Sequence, residues 1–511
     1  MIYLADTIFM AVQQVGEVLM GRRSRRVAVA DFILREYLSY QSMLGTSLTT
    51  DILPLTPYVI ESNVCFLDDT GELTLRISLL HPTFQHDHSL DTMVTGFLHH
   101  ISSRTHQLRT HWQCVEDQQS LRRQVMASGG AAFIGDGAIL PRVGGRDQSP
   151  HPSAVPFESP ATLRRAFTLP YAGEITGMFI PRGVTVITGG GRTLDDLYIF
   201  GPYFCRKSGF HGKSTLLRAI SHGFYDKIPG DGRNMCVSAR TTVAVRAEDG
   251  RYVNNVDISM FLSDLPPAAN LDPQHFSTSN ASGSTSQATN VMEALEMGAT
   301  LLLLDEDTCA NNFMIRDSRM RSLVSHETIT PYSYRINGIY NHLGVSSVVV
   351  TGGSGDWFDV LDLCLMMDNF HCIDVTHKAK SISKTFCTGR VQYNGKGLVH
   401  QLPWDHEISQ RRVSLESLQE MVVTGDKLET SRLEQVIHDK ASISGMLWCM
   451  DIVFEELRRK RLSPSIDDLL KHTDVVLDFA FSYKSYAYPI LRPRALDLVM
   501  TLFRTRGIKF E

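Results

Sequence analysis

The fold is decided by the stretch Val184–Leu217, which reads VTVITGGGRTLDDLYIFGPYFCRKSGFHGKSTLL. It opens with a β-branched run that is typical of a buried strand, and it closes on Gly212-Lys213-Ser214-Thr215 and two leucines. Without the eighteen residues 192–209, the join would read GGGFHGKST and would satisfy the phosphate-binding pattern G-x-x-x-x-G-K-[ST]. As the chain stands, Lys207 occupies the first glycine position, so the literal pattern fails.

A phosphate-binding loop works through its backbone. The N–H groups of a short glycine-rich turn wrap the phosphates, and the following helix directs its positive end at them. In such a loop Lys213 reaches the β- and γ-phosphates, and the Ser214 hydroxyl ligates Mg²⁺. His211 is interpreted as a spacing residue near the phosphates, not as a general base. The predicted nucleotide-binding residues of this loop are Gly189, Gly190, Gly191, His211, Gly212, Lys213, Ser214 and Thr215.

The segment 192–209 separates the two halves of that cradle. It either loops out and leaves the site intact, or it destroys the site. Its sequence contains nothing typical of a phosphate site. Because its removal restores a complete motif, we favour an unspliced intron or a gene-model error over a genuine inserted loop.

Length, charge and cysteine usage limit the class of protein. The 511 residues are enough for two or three domains with large cores. The formal net charge of −5 and the pI near 6.4 argue against a generally basic nucleic-acid binder. Nine cysteines without a C-x-x-C pair indicate neither a disulfide framework nor a zinc site. Polar residues interrupt the apolar N-terminus, so we expect a soluble, intracellular protein that does not enter a membrane.

The pattern along the chain predicts three regions. Residues 1–160 mix helical and strand patterns, with helices near Val27–Tyr40 and Leu90–Ser128, and form an N-terminal α+β domain. Residues 161–400 alternate strands and helices in the α/β manner and form the core, which carries the insert. Residues 401–511 show helical apolar spacing and form a helical C-terminal region.

An apolar strand that ends in adjacent acids follows the lysine motif. Residues Thr300–Asp307 read TLLLLDED. Such a strand would bring Asp305 to the Mg²⁺ side of the phosphates, while Glu306 orients or deprotonates the attacking water. An ordinary buried strand with an acidic turn is the alternative. The chain order favours the functional interpretation, with Ser214 and Asp305 as metal ligands and Glu306 and Lys213 as catalytic residues.

A turn rich in serine and glycine precedes the acidic strand. Residues 276–288 read FSTSNASGSTSQA and lead into a predicted helix. A turn of this kind at a helix N-terminus is an anion site in its own right. A flexible serine-rich loop with a capped helix is the alternative. The predicted nucleotide contacts of the turn are Ser282, Gly283, Ser284 and Gln287.

Together these segments resemble the predicted ABC-class ATPase family, a soluble group distinct from transporter subunits. The resemblance extends from about residue 26 to residue 380. Its further motifs are EDQ (Glu116–Gln118), GDGAILPR (Gly135–Arg142), IPGDGR (Ile228–Arg233), RAEDGR (Arg246–Arg251), VDIS (Val256–Ser259), LLLLDEDTCANNFMIRD (Leu301–Asp317) and GGSGDWFDV (Gly352–Val360). The resemblance implies an ABC-ATPase-like P-loop NTPase core with ATP and Mg²⁺ as ligands. It also implies a homodimer in which the signature turn of one subunit closes over the γ-phosphate held by the other. Some members of the family are linked to RNA.

The resemblance assigns several more residues, with departures. Where ABC-type ATPases have a switch histidine, this chain has none, and Ser354 or Asp356 is left to take part of that role. Glu248 is the nearest candidate for the glutamine loop. The family's glycine-rich turn is uninterrupted, and the family normally begins with a segment bearing a GDPFAPPS-like motif. Both departures lead us to expect a shortened N-terminus and a faulty gene model or a degraded copy.

Two groups of arginines have open interpretations. Arg316, at the expected dimer interface, either contacts the partner's nucleotide or forms an ion pair with Asp317 or Asp307. The four C-terminal arginines are expected to line a solvated helix face, with contact to nucleic acid or a partner as the alternative. They are Arg492, Arg494, Arg504 and Arg506.

The leading hypothesis is therefore an ATP-gated, ATP-hydrolysing homodimer, with RNA or another nucleic acid as a candidate partner. The alternative is a scaffold that keeps the fold but cannot bind nucleotide, because residues 192–209 disrupt its P-loop. A third hypothesis is a nucleic-acid-binding module whose ATPase activity regulates its affinity for nucleic acid. The acidic pI counts against it.

Overall fold

The computed structural model describes residues 7–10, 22–44, 56–69, 71, 73–76, 88–144, 147–189, 211–263, 265, 271–316, 320, 323–324, 327–386, 413–417, 420–423, 426–429, 440–460, 466–482 and 490–505. The helices are α1 (Arg23–Leu44), α2 (His88–Ser102), α3 (Thr105–Ala127), α4 (Lys213–Ser221), α5 (Gly283–Glu296), α6 (Asn311–Met314), α7 (Tyr332–Leu343), α8 (Thr376–Phe386), α9 (Lys440–Lys460), α10 (Ile466–Ser482) and α11 (Ala495–Phe503). The strands are β1 (Thr7–Met10), β2 (Cys65–Leu67), β3 (Leu73–Arg76), β4 (Gly130–Gly135), β5 (Arg164–Leu169), β6 (Gly173–Pro181), β7 (Val184–Thr188), β8 (Cys236–Ser238), β9 (Thr242–Val245), β10 (Val253–Val256), β11 (Phe276–Thr278), β12 (Leu301–Asp305), β13 (Ser346–Val350), β14 (Leu363–Asp368), β15 (His371–Asp374), β16 (Val413–Ser417), β17 (Glu420–Val423) and β18 (Asp426–Glu429).

A six-stranded sheet with the order β15-β14-β7-β13-β12-β9 positions the candidate site. All of its strands run parallel except β15, which is antiparallel to β14. Asp305 of β12 pairs with Val350 of β13, and Val350 pairs with Ile187 of β7. The carboxyl ends of these three strands therefore lie level at one edge, with β13 between the phosphate-loop strand and the acidic strand.

Apolar residues cover both faces of this sheet, which is why its strands read as continuous hydrophobic runs. On β12, Leu302 and Leu304 pack into the cluster that contains α5, α7 and the C-terminal helices. The alternate residues Leu301 and Leu303 point to the other face and pack against α4. Helices on both faces of a mainly parallel sheet confirm the predicted α/β class.

An antiparallel sheet with the order β5-β6-β4-β8 crosses the domain boundary that the sequence placed near residue 160. Its strand β4 belongs to the predicted N-terminal domain, yet it pairs with β6 and β8 of the predicted core. Every residue of β4 is buried, so the strand needs partners on both edges. The segment that the sequence assigned to a separate domain is thus joined to the core from β4 onward.

Two helical predictions need correction. The single helix expected over Leu90–Ser128 is α2 and α3, with a break at Ser103 and Arg104. The hydroxyls of Ser102 and Ser103 donate to the carbonyls of His99 and His100 at 2.8 and 2.7 Å, which competes with continuation of the helix. The C-terminal region holds the three-stranded sheet β16–β18 as well as α9, α10 and α11.

None of the helices within the described residues is both long and apolar enough to cross a membrane. Seven cysteines fall in the same part of the chain, and all seven are free thiols.

Candidate functional site

The two flanks of the insert meet in the structure. Gly189 follows β7, and α4 begins at Lys213, whose Nζ donates to the Gly189 carbonyl oxygen at 3.2 Å. The lysine therefore lies against the end of the phosphate-loop strand, although the two residues are 24 positions apart along the chain. Gly190, Gly191 and the segment 192–209 lie outside the described residues.

Gly212 is required by its backbone conformation. Its φ of +90° is left-handed, and a Cβ at this position would lie 3.0 Å from Cδ1 of Phe370. The preceding His211 accepts the N–H of Asn369 on Nδ1 at 3.1 Å. The Asp368 carboxylate lies 3.5 Å from the same Nδ1. His211 is therefore bound to the turn after β14, as expected for a residue that positions the loop and does not act as a base.

The two predicted metal ligands contact each other. Ser214 Oγ donates to Asp305 Oδ2 at 2.8 Å, which joins the first turn of α4, where Thr215 also lies, to the end of β12. The other Asp305 oxygen accepts the N–H of Asp307 at 3.3 Å and caps a short 3-10 helix. Hydroxyl and carboxylate oxygens suit Mg²⁺, which usually takes only one or two protein groups. Within the described residues, no group of three or more His, Cys, Asp or Glu side chains is arranged to hold a metal ion. Mg²⁺ bound by Ser214 and Asp305 would take its other ligands from phosphate and water oxygens.

The Glu306 carboxylate is held by the loop that follows β13. Its Oε2 accepts the N–H of Gly352 at 2.7 Å, the N–H of Gly353 at 3.2 Å and the hydroxyl of Thr351 at 2.9 Å. A Cβ on Gly352 would lie 3.2 Å from Lys213 Nζ. The loop is therefore close to the ammonium group as well as to the carboxylate, and any side chain at Gly352 would enter the space between them.

Ser354 lies at the end of the same loop. Its Oγ accepts the N–H of Asp356 at 3.4 Å, and its carbonyl oxygen is 3.3 Å from Thr351 Oγ1. Its contact with nucleotide stays a prediction. Sequence reasoning missed Thr351, although a threonine and two glycines directly after a buried strand were a signal for clustered backbone donors.

Helix α5 begins at Gly283, earlier than the helix predicted from Thr289, so the second half of the serine-rich segment is helical and Ser282 is its N-cap. Ser282 Oγ accepts a backbone N–H of the first helical turn at 3.4 Å, and Ser282 itself is exposed. Ser284 is buried and donates to Asn312 Oδ1 at 2.6 Å. A Cβ on Gly283 would lie 3.0 Å from Asp249 Oδ1. The turn thus presents Ser282 outward, at the positive end of a 14-residue helix.

Gln287 is not placed to contact a nucleotide. Its side chain is fully buried, its Oε1 accepts the N–H of Ala310 at 2.8 Å, and its Nε2 donates to the Met314 sulfur at 3.3 Å. Both ends of the amide are therefore used inside the protein. The residue ties α5 to the segment that follows the acidic strand, which corrects the predicted nucleotide contact.

Glu248 is also turned inward. Its two oxygens accept from the Arg504 guanidinium at 3.0 and 2.7 Å, and Oε1 accepts Asn290 Nδ2 at 3.0 Å. Burial alone would raise the pKa of Glu248, but Arg504 outweighs it and holds that pKa below the ordinary value of 4.5. The predicted glutamine-loop role is therefore corrected to a buried ion pair, which the sequence could not reveal because Arg504 is 256 positions away.

Three of the C-terminal arginines do not line a solvated helix face. Arg504 is buried, and Arg492 forms an ion pair with α10 at 2.7 Å. Arg494 lies over the Phe224 ring, 3.5 Å from its centroid. These three residues flank α11, which spans Ala495–Phe503, and their charges are used within the fold. Arg506 lies outside the described residues.

Arg316 forms an ion pair that the sequence did not suggest. Its guanidinium binds both oxygens of Glu327, with Nε at 2.9 Å from Oε2. Asp307, one of the two predicted partners, is not the partner found, and Asp317 lies outside the described residues. An interface role for this segment stays a prediction.

A protein-family model matches most of the part of the chain that contains this site. The ABC_ATPase model, described as a P-loop domain, matches residues 104–193 and 204–401, more than half of the chain. The match begins at residue 104, directly before α3 and upstream of the predicted boundary at 160. It is interrupted over 194–203, inside the segment 192–209, so the family model has no counterpart for those residues.

Individual relatives are more distant. The uncharacterized protein MJ1628 of Methanocaldococcus jannaschii is 26% identical over 235 residues, which are 45% of this chain and 46% of that protein. The chain thus spans about half the length of this curated relative. Among solved structures, cbiO1 from Clostridium perfringens, part of the ABC transporter complex cbiONQ, is 14% identical over 50% of this chain and 93% of its own, with a TM-score of 0.26. A bacterial Atm1-family ABC exporter with ATP bound is 13% identical over 52% of this chain and 43% of its own, and its TM-score is also 0.26. TM-scores this low support no further argument.

Proposed function

The chain belongs to the ABC_ATPase family of P-loop proteins, and from that premise we propose that it binds and hydrolyses ATP with Mg²⁺ as a closing homodimer. The observation that carries the proposal is the 2.8 Å bond between Ser214 and Asp305. It joins a phosphate-loop hydroxyl to the acidic strand across β13, at the edge where three parallel strands end. Lys213 and Glu306 lie at the same edge, which supports a role for all four side chains in phosphate chemistry.

Each residue has a stated role in this proposal. Lys213 neutralises the β- and γ-phosphates, and the N–H groups at the start of α4 bind their oxygens. Ser214 and Asp305 hold Mg²⁺, which when bound offsets the charge that develops on the phosphates. Glu306 orients the attacking water and accepts its proton. Gly352 leaves space for phosphate oxygens beside the lysine ammonium, because a Cβ there would lie 3.2 Å from Lys213 Nζ.

A homodimer is proposed because the serine-rich turn faces outward. Ser282 is exposed, and its neighbours Gly283 and Ser284 contact Asp249 and Asn312 of their own subunit. A second copy could bring this turn, with its helix dipole, onto the phosphates bound by the first. Light scattering of the Glu306→Gln variant with and without Mg-ATP tests this step, and a mass that stays monomeric at saturating nucleotide would contradict it.

The metal site gives a direct test. We expect Ser214→Ala to remove most of the Mg²⁺ dependence of ATP binding, with a loss of about 10- to 100-fold in the affinity for Mg-ATP. Ser214→Thr keeps a hydroxyl and the motif, and it should bind like the unmodified protein. Calorimetric titrations with Mg-ATP and with ATP in EDTA provide the measurement. Equal Mg²⁺ dependence in Ser214→Ala and in the unmodified protein would remove Ser214 from the metal site.

The insert gives a second test. Because Lys213 already reaches Gly189, we expect the full chain and a form lacking 192–209 to bind Mg-ATP within about threefold of each other, a difference below about 0.7 kcal/mol. Both proteins would be titrated with Mg-ATP and assayed for phosphate release. Binding by the shortened form alone would show that the segment blocks the site, as an intron or gene-model error would.

The scaffold hypothesis keeps one observation in its favour. The literal phosphate-binding pattern is broken at Lys207. If neither the full chain nor the shortened form binds nucleotide, the protein is a scaffold that has kept the fold without the activity.

Nucleic-acid binding is the weaker candidate. The chain carries a net charge of −5, and two arginines of its basic run Arg22–Arg26 are used in ion pairs, Arg23 with Glu61 and Arg25 with Glu116. RNA affinity measured over a salt series tests it. A steep fall in affinity with rising salt would support RNA as a partner, and weak, salt-independent binding would exclude it.

A further inference from the structure

The loop Thr351–Gly353 forms a small anion receptor, and in this structure its anion is the Glu306 carboxylate. Two successive backbone N–H groups, of Gly352 and Gly353, converge on one oxygen, Oε2, together with the Thr351 hydroxyl. Consecutive N–H groups arranged in this way bind phosphate oxygens as readily as carboxylates. The receptor also borders Lys213, because a Cβ on Gly352 would lie 3.2 Å from Nζ.

The receptor is fixed to the sheet. The Thr351 N–H donates to the Ile187 carbonyl of β7 at 2.9 Å, so the loop is tied to the strand that enters the phosphate-binding loop. Thr351 is only 1% exposed, and its hydroxyl has a second acceptor nearby, the Ser354 carbonyl at 3.3 Å. The loop can therefore release the carboxylate without leaving a buried hydroxyl unpaired.

We infer that this loop is the γ-phosphate switch of the site and that it works by exchange of anions. Without nucleotide, the loop holds the Glu306 carboxylate. When a nucleoside triphosphate binds, an oxygen of its γ-phosphate takes the N–H groups of Gly352 and Gly353, and the displaced carboxylate turns to the attacking water. Thr351 is a positioning residue that strengthens the resting pose. The inference rests on the proposed function, and it explains how a chain without a switch histidine keeps its base from acting until a triphosphate is present.

The exchange makes a specific prediction about affinity. Thr351→Val removes one hydrogen bond from the resting carboxylate and changes no charge, so the γ-phosphate displaces it more easily. We expect the Kd for the Mg²⁺ complex of β,γ-imido-ATP to fall by about tenfold, the worth of one hydrogen bond to a charged group. The Kd for Mg-ADP should stay within about twofold of its value in the unmodified protein, because a diphosphate lacks the γ-phosphate that enters the receptor. Thr351→Ser restores the hydroxyl and should restore both constants.

Both constants would be measured by calorimetry on the full chain, with thermal unfolding to show that each variant is folded. Thr308→Val is the matched control, because it also removes a hydroxyl near the acids but one that donates to the Asp305 carbonyl, 3.1 Å away, and not to Glu306. A change of equal size for both nucleotides, no change, or weaker triphosphate binding in Thr351→Val overturns the exchange. Failure of the unmodified protein to bind either nucleotide instead overturns the proposed function, so the two failures are distinguishable.

Discussion

Glu306→Gln is expected to lower kcat for ATP hydrolysis by about 10²- to 10⁴-fold while leaving Mg-ATP binding intact. A general base contributes to the rate by that order, and glutamine keeps the size of the side chain but cannot accept the proton of water. The neutral amide also accepts hydrogen bonds more weakly than a carboxylate, so the loop Thr351–Gly353 becomes more available to phosphate. Phosphate release under single-turnover conditions, with nucleotide binding measured in parallel, gives both quantities.

Asp307→Asn is the matched control for that substitution. It removes the same charge one residue further along, from an exposed side chain, and the structure gives Asp307 only a backbone contact to Asp305. Its kcat should stay within about twofold of the kcat of the unmodified protein, because solvent screens the effect of an exposed charge. Equal losses in the two variants would mean that net charge at this edge, and not the Glu306 carboxylate, determines the rate.

Local patterns predicted the elements of the site. The β-branched run Val184–Thr188 is β7 with the same bounds, and the apolar run that ends at Asp305 is β12. Parallel strands bring their carboxyl ends to one edge, so the neighbourhood of Lys213, Asp305 and Glu306 could be expected from the chain order alone. The sequence did not reveal which groups the polar side chains bind at this edge of the sheet.

The wrong assignments share one physical cause. Glu248 and Gln287 were expected at the nucleotide because their places along the chain match the glutamine loop and the signature turn of ABC-type ATPases. Both are buried. The partner of Glu248 is Arg504, 256 positions away, and the partner of Gln287 is the N–H of Ala310, which follows the next strand, β12. Each pairing depends on how separate elements pack together, which no local pattern encodes. The arginines near the C-terminus were misinterpreted for the same reason.

Arg504→Met is expected to be the most destabilising single change in the C-terminal helices. It removes the cation from a buried cluster in which Arg504 binds Glu248 and Asn290 and lies 3.8 Å from Glu293. Removing one partner of a buried ion pair costs about 3–5 kcal/mol. The Glu248 carboxylate would lose the guanidinium that binds both its oxygens, although Arg251 stays in the same buried cluster. Methionine fills a similar volume, so the loss would report the charge and not a cavity. Chemical denaturation at pH 7 measures the free energy of unfolding.

The double variant Glu248→Gln/Arg504→Met separates the charge from the packing. It removes both members of the pair, so we expect it to recover roughly half or more of the stability that Arg504→Met loses. The pH dependence has a definite sign. The folded-state pKa of Glu248 is lowered, so its stabilisation is present above the ordinary carboxyl value of 4.5 and is lost as pH falls through the folded pKa. The difference in the free energy of unfolding between the unmodified protein and Arg504→Met should therefore become smaller in acid. A difference that is constant with pH would show that lost packing, not the unpaired carboxylate, destabilises the variant.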